Sequence, residues 1–239
     1  MQRIYLPHTK FLDVLEITEK ELYHQLTRVL RARLWQEVVF FDWENLEDHV
    51  YTMIHIDKKS VSFKRKEVIA KKSELQNSLS LYQACPNKLS KFETIVQKCC
   101  EVGYSEIIFF ESERSQKLVI SENKKERLRK IAIESVELCG WNVIPKILFL
   151  DSSSTALKSM KEWKILFCHT QSDNSIILGD IPTADHYDIV IGPEWGLSDL
   201  EVQGLESNGW LRIYFWERIL RCETAGEVAW FYISQKKES

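Results

Sequence analysis

From Ser78 onward, short apolar runs of strand length alternate with amphipathic segments of helix length, and this rhythm constrains the fold more than any other feature. The strand-like runs are residues 79–84, 106–110, 146–150, 164–168, 188–191 and 211–215. Strands separated by helices pair in parallel, so the pattern predicts a mainly parallel sheet with helical crossovers. A helix over residues 91–102 would bury Phe92, Ile95, Val96 and Cys99 and stop at Gly103, and one over 124–139 would bury Leu128, Ile131, Ala132, Ser135 and Cys139. Helix starts are expected at Ser90 with Glu93, Ser198 with Glu201 and Thr224 with Glu227, each a capping box that satisfies free backbone N–H groups reciprocally.

The chain before residue 73 reads differently. Residues 37–41 (EVVFF), 49–56 (HVYTMIHI) and 59–64 (KSVSFK) are strand-like and separated by polar turns, which predicts a small β-barrel. Residues 19–30 (EKELYHQLTRVL) place Leu22, Leu26, Val29 and Leu30 at helical spacing. In residues 58–72 seven Lys or Arg face one Glu, and this basic stretch marks the edge of the first domain. A length of 239 residues accommodates two domains, here 1–72 and 73–239.

Composition narrows the function classes. With 32 basic against 35 acidic side chains the chain is not a wholly basic nucleic-acid binder, and 44% hydrophobic with 28% charged content is that of a globular protein. No apolar run approaches the roughly 20 residues that cross a bilayer, and the start, MQRIYLPHTK, lacks the apolar stretch of a signal peptide, so a cytoplasmic protein with no membrane partner is expected. The six cysteines show no CxxC spacing and read as buried or free thiols, with neither a disulfide framework nor a metal site. Only 8 glycines stand against 8 tryptophans, so the residue of tight turns is scarce.

Ligands bind a parallel α/β sheet at the carboxyl ends of its strands, which directs attention to the loops after Ile191 and Phe215. The first, GPEWGLSDLE, turns sharply at Gly192 and Pro193, approaches closely at Gly196 and opens a helix at Ser198. A plain strand-to-helix turn would read the same way, since no GxGxxG or Walker motif is present. The second, WERILRCE (residues 216–223), sets charged side chains around Ile219 and Leu220, as a ligand wall would.

IGPEWGLSDLE (191–201) and RILRCETA (218–225), preceded by KFETIVQKCCEVGYSEIIFFESERS (91–115), resemble the RsmE family, SPOUT-class methyltransferases that methylate N3 of a uridine in small-subunit (16S) ribosomal RNA. YHQLTRVLRARLWQEVVFFD (23–42) is similar to that family's PUA-like barrel. The resemblance implies an α/β fold: a SPOUT-type domain with a deep trefoil knot, preceded by a small PUA-like β-barrel. It also implies S-adenosylmethionine as cofactor, a homodimer through the C-terminal domain, and 16S rRNA in the small ribosomal subunit as partner. By the same resemblance Phe167, Cys168, His169, Ile191, Gly192, Pro193, Glu194, Gly196, Phe215, Ile219 and Leu220 line the cofactor site, with Ile219 and Leu220 against the adenine.

Methyl transfer to uracil N3 also needs a proton removed and charge stabilised. Glu194 would pair with the sulfonium or accept the N3 proton, or else serve as a carboxylate favoured at a helix N-terminus. Arg221 would stabilise charge on the uracil oxygens or grip a phosphate, or else pair with Glu223. Arg114 at the mouth of the site, and Arg28 and Arg31 in the barrel with the basic stretch, are expected to meet RNA. His24 and His169 read as packing or capping residues rather than bases.

The chain departs from the family where Trp195, Trp35 and Trp43 replace glycines, where Phe215 and Trp216 replace a Leu-Gly pair, and where Leu138 and Trp141 replace polar residues. These departures leave two other readings open: a SPOUT homologue reduced to an RNA- or ribosome-binding module, and a methyltransferase for another RNA position. Trp195 and Trp216 are expected to crowd the cofactor loops.

Overall fold

Alternating apolar residues build the first sheet: Val61 and Phe63 of one strand and Val38 and Phe40 of another are buried side by side with Ile4, Tyr51 and Met53. The structure, a computed structural model, describes residues 1–43, 46–70, 78–116, 119–160, 164–169, 175–177, 180–214 and 219–234. Strands β1 (Gln2–Tyr5), β2 (Val14–Ile17), β3 (Glu37–Phe41), β4 (Glu47–Ile56) and β5 (Val61–Ala70) form a barrel-like sheet in the order β1-β3-β4-β5-β2. β1 joins β3 in parallel, and the other pairs are antiparallel. The four-residue strands β1 and β2 were not expected from sequence.

The segment expected as one helix splits into α1 (Lys20–His24) and a π-helical turn (Gln25–Val29), in which the Leu30 N–H reaches the Gln25 carbonyl at 2.8 Å. The wider turn rotates the later side chains out of the regular helical phase. Leu22 and Leu26 stay buried, but Val29 is 65% exposed, contrary to the regular spacing.

The chain clusters into two units, residues 1–74 with 136–143, and residues 75–135 with 144–239. Within the first, Arg3 pairs with Asp48 and donates through Nη2 to the Trp141 carbonyl at 2.9 Å and to Asn142 Oδ1 at 2.6 Å. The Tyr5 N–H donates to Glu137 Oε1 at 2.8 Å.

The second unit is a parallel sheet of β6 (Ser78–Ala84), β7 (Glu106–Phe110), β8 (Lys146–Leu150), β9 (Lys164–Cys168), β10 (Ile176–Ile177), β11 (His186–Ile191) and β12 (Leu211–Tyr214). Its order is β10-β12-β9-β11-β6-β7-β8, and every described pairing is parallel. Tyr82, Ile108, Phe167 and Val190 pack one face with Leu197, Val202 and Leu205. Against the other, Phe92 of α2 (Leu89–Val102) lies 4.6 Å from the Phe109 ring, and Gly226 of α6 (Cys222–Ser234) sits over Leu81. Burying each such aromatic or branched side chain contributes about 1.5–3 kcal/mol.

Helix starts match the sequence only in part. Ser198 forms the expected capping box before α5 (Asp199–Ser207): its Oγ accepts the Glu201 N–H at 3.2 Å, and Glu201 Oε2 accepts the Ser198 N–H at 2.9 Å. Ser90 does not cap, because α2 already begins at Leu89 and Glu93 is ion-paired to Arg127 at 2.7 Å. Thr224 lies inside the first turn of α6, whose opening N–H groups, Thr224 and Ala225, both bond the Arg221 carbonyl at 3.0 Å. Helix α3 (Glu122–Cys139) forms where expected and buries Leu128, Ala132 and Ser135, but Ile131 is only partly buried and Cys139, at the last turn, is exposed, with Val136 buried in its place. Helix α4 (Ser153–Ser159), capped by Ser152, was not foreseen.

Candidate active site

The strand order sets the location of the site. From β6 the chain runs outward through β7 and β8, then returns to the other side of β6 through β9 and β11. The reversal lies between β6 and β11, and a crevice opens at the carboxyl ends of the strands at such a point. There Ile191 stands in register with Gln83 on one side and Cys168 on the other.

The loop leaving β11 closes tightly on itself. A Cβ on Gly192 would lie 2.9 Å from the Leu197 nitrogen and 3.0 Å from the Gly196 carbonyl carbon, so only glycine fits. The Gly196 N–H bonds the Pro193 carbonyl at 2.9 Å, and Gly196 takes the left-handed conformation, φ +71°. Trp195 carries no left-handed strain and is 72% exposed, so the expected crowding of this loop by its indole is not observed.

Three side chains hold the loop from outside: Gln83, Lys91 and Arg114. Gln83, fully buried, donates through Nε2 to the Gly192 carbonyl at 3.2 Å. Glu194 Oε1 accepts the Asn87 N–H at 3.0 Å and the Lys91 ammonium at 2.7 Å. Arg114 Nη1 donates to the carbonyls of Trp195 at 3.3 Å and Leu197 at 3.0 Å, with Asp199 at 3.9 Å. Burial pushes the Glu194 carboxyl up, but the Asn87 N–H and the Lys91 ammonium outweigh it and hold the group below the usual carboxylate range. The same hydrogen bond raises Lys91. Sequence reasoning missed Gln83, Asn87 and Lys91; an amide inside the apolar run 79–84 was the available signal.

The other candidates are more scattered. Phe167 is fully buried, Cys168 and His169 partly so, and the His169 N–H bonds the Ile213 carbonyl at 3.3 Å. Ile191 and Pro193 are buried at the base of the loop. Phe215, with Trp216 to Arg218, lies outside the described residues, as do residues 170–174, so the loops of the expected knot are described only in part. Ile219 is 88% exposed and Leu220 partly buried. The Arg221 side chain is 84% exposed, 3.8 Å from Glu223. Cys222 donates to Glu223 Oε2 at 3.2 Å, and burial pushes its thiol up to about 12.

Arg28 and Arg31 are exposed in the first unit. Part of the basic stretch is committed within the chain: Lys66 pairs with Glu37 at 2.6 Å, and Arg65 pairs with Asp13 while donating to the Phe11 carbonyl at 3.0 Å. Lys71 and Lys72 lie outside the described residues. Leu138 is 86% exposed, and Trp141 is partly buried.

Two buried acceptors, Gln83 Oε1 and Asn87 Oδ1, have no partner among the described residues, and both belong to the residues that hold this loop or its Glu194. Together with the cradle at Gly192 and the bare apolar side chain of Ile219, they suit a ligand with an apolar ring and hydrogen-bond donors. No helix among the described residues is long and apolar enough to cross a membrane, and no cluster of potential metal ligands is found among them.

Comparison with known proteins agrees in extent. The RNA methyltransferase domain model matches residues 73–234. The ribosomal RNA small subunit methyltransferase E of Buchnera aphidicola is 30% identical, covering 95% of this chain and 90% of the relative; that of Bacillus subtilis is 28% identical over 100% and 98%. A solved Legionella pneumophila structure, described as a methyltransferase with SAM bound, shares 26% identity at a TM-score of 0.87, covering 98% and 97%. The fold is therefore that of the SPOUT class, a parallel α/β domain preceded by a barrel-like sheet.

Proposed function

The chain belongs to the family of ribosomal RNA small subunit methyltransferase E, and on that premise we propose that it transfers a methyl group from S-adenosylmethionine to N3 of one uridine in 16S ribosomal RNA. The observation that carries this reading is the closed Gly192–Leu197 loop at the sheet's switch point, held by Gln83, Glu194 and Arg114. When bound, S-adenosylmethionine supplies an electrophilic methyl group on a sulfonium.

The chain's own residues orient and stabilise. The main chain from Ile191 to Gly196, with Phe167, Cys168 and His169, forms the rigid wall of the cofactor site, and Ile219 and Leu220 cover the adenine. Glu194, already bonded to Lys91 and to Asn87, is a weak base, and its role is to fix the loop. Arg221, exposed and loosely paired, stabilises the negative charge that grows on the uracil oxygens as N3 loses its proton. Holding the reacting atoms in line adds to the acceleration by making the encounter effectively intramolecular.

Residues 1–72 serve as the RNA-binding barrel and 73–239 as the transferase domain, acting as a cytoplasmic homodimer through the latter. The test is transfer of labelled methyl from S-adenosylmethionine to unmodified small ribosomal subunits, with the product mapped by mass spectrometry. Label on N3 of a single uridine is the expected result. No label, from a folded protein beside a working control enzyme, would overturn it in favour of an RNA-binding module.

A further inference from the structure

Residues 28–36, RVLRARLWQ, hold three arginines and no acidic residue, in a chain whose net charge is −3. Arg28, Arg31 and Arg33 are all exposed, and no ion pair engages them among the described residues. The next acid, Glu37, is already bound to Lys66 at 2.6 Å. Apolar side chains turned to solvent accompany them: Val29, between Arg28 and Arg31, is 65% exposed, and Leu34 and Trp35, directly after Arg33, are 50% and 73% exposed.

The backbone here works against its own preference. Trp35 has φ +68° and Arg31 φ +48°, a region that bulky side chains rarely adopt. Backbone bonds hold it there: the Trp35 N–H to the Met53 carbonyl at 2.8 Å, the Met53 N–H to the Gln36 carbonyl at 3.0 Å, and the Ala32 N–H to the Leu26 carbonyl at 2.9 Å. Glycine would relieve the strain at position 35, and an indole left in solvent adds nothing to the core. Strain of this kind gathers at ligand sites.

We propose that Trp35 with Arg28, Arg31 and Arg33 forms a platform for an unpaired nucleotide of the RNA substrate. The base stacks on the indole, and the guanidinium groups take the flanking phosphates. A flat aromatic face stacks on any base, and arginine forks match phosphate oxygens, so the patch fits single-stranded RNA better than a protein or lipid surface. The proposal rests on the reading that the chain acts on ribosomal RNA.

The test uses the full chain and a fluorescein-labelled single-stranded oligouridine of about 12 nucleotides, a length within the span of such sites. Trp35→Ala is expected to weaken binding about tenfold, and Trp35→Phe to retain most of it. Trp35→Gly should lose affinity while its thermal midpoint rises, which separates the platform from a structural role. Replacing the three arginines with Ala should lower the salt dependence of log K by about 2. Wild-type affinity in Trp35→Ala, with wild-type methylation of small subunits, would overturn the platform alone. A wild-type chain that neither binds RNA nor methylates would overturn the functional reading with it, and binding to anionic vesicles in place of RNA would assign the patch to a membrane.

Discussion

The Lys91 ammonium lies 2.7 Å from Glu194 Oε1, joining the first turn of α2 to the loop that leaves β11 across 103 residues of chain. Two elements that neighbour each other only in space are thereby fixed at the carboxyl ends of adjacent strands. If fixing the loop is the whole role of Glu194, Glu194→Gln keeps an oxygen for the Asn87 N–H and loses only the charge. Cofactor affinity should then fall about fivefold, because a bond to a charged group is worth roughly 1 kcal/mol more than a neutral one. A fall in kcat of about a hundredfold or more would instead mark Glu194 as the proton acceptor.

The pair also sets a pH window. The Glu194 carboxyl is lowered in the folded state, so its contribution is complete above the unfolded value and is lost as pH falls through the folded one. Lys91 is raised, so its contribution is complete below its unfolded value and is lost as pH climbs through the folded one. Loop stability, read by hydrogen exchange over residues 192–197, should be flat from about pH 5 to 10 and decline outside it. In Lys91→Met the alkaline decline should vanish.

Gly192 and Gly196 are needed for different reasons, and alanine should tell them apart. At Gly196 the space is open and only the φ of +71° opposes a side chain, a cost of about 1 kcal/mol. At Gly192 a methyl would meet main-chain atoms at 2.9–3.1 Å, and main chain cannot rotate away. Gly192→Ala should therefore weaken S-adenosylmethionine binding more than about tenfold by calorimetry, and Gly196→Ala only a few-fold.

Much of this architecture was legible in the sequence. The runs at 106–110 and 164–168 became strands with the same ends because a continuous apolar run in the buried part of a parallel sheet has little freedom, and 146–150 did so as the partly exposed edge strand beside 106–110. β1 was hidden because Arg3 interrupts it, and that arginine is tolerated because Asp48 and Asn142, distant in sequence, neutralise and bond it. Ser90 looked like a cap, but its partner Glu93 found Arg127 instead. In the site, the glycines announced the loop, whereas Gln83 and Lys91 reach it from 109 and 103 residues away, a relation that no local pattern carries.

The thiols offer a test of packing around the second loop. Burial pushes Cys85 and Cys222 up to about 12 and Cys99 well above its ordinary value, so almost none is thiolate at neutral pH. Cys139 is exposed. Brief treatment with iodoacetamide at pH 8 should add one adduct by intact mass, at Cys139. Early labelling of Cys222 would show that the segment around it opens in solution.

Arg114 was expected to meet RNA, and its geometry leads to a different expectation. Its Nη1 donates to the carbonyls of Trp195 and Leu197, so one planar group spans the turn between Gly192 and the cap at Ser198. Arg114→Ala leaves both oxygens to water and frees the turn. Affinity for S-adenosylmethionine should then drop roughly five- to tenfold, equal to one or two hydrogen bonds, with faster hydrogen exchange at residues 195–199. Arg114→Lys should recover only part of this, because an ammonium is a point donor and cannot reproduce the guanidinium geometry. If the side chain instead serves the RNA, the loss would appear in KM for the ribosomal subunit, with cofactor affinity and loop exchange unchanged. The two outcomes differ in which substrate is affected, so calorimetry with the cofactor beside subunit-dependent kinetics decides between a clamp on the loop and a contact to the nucleic acid.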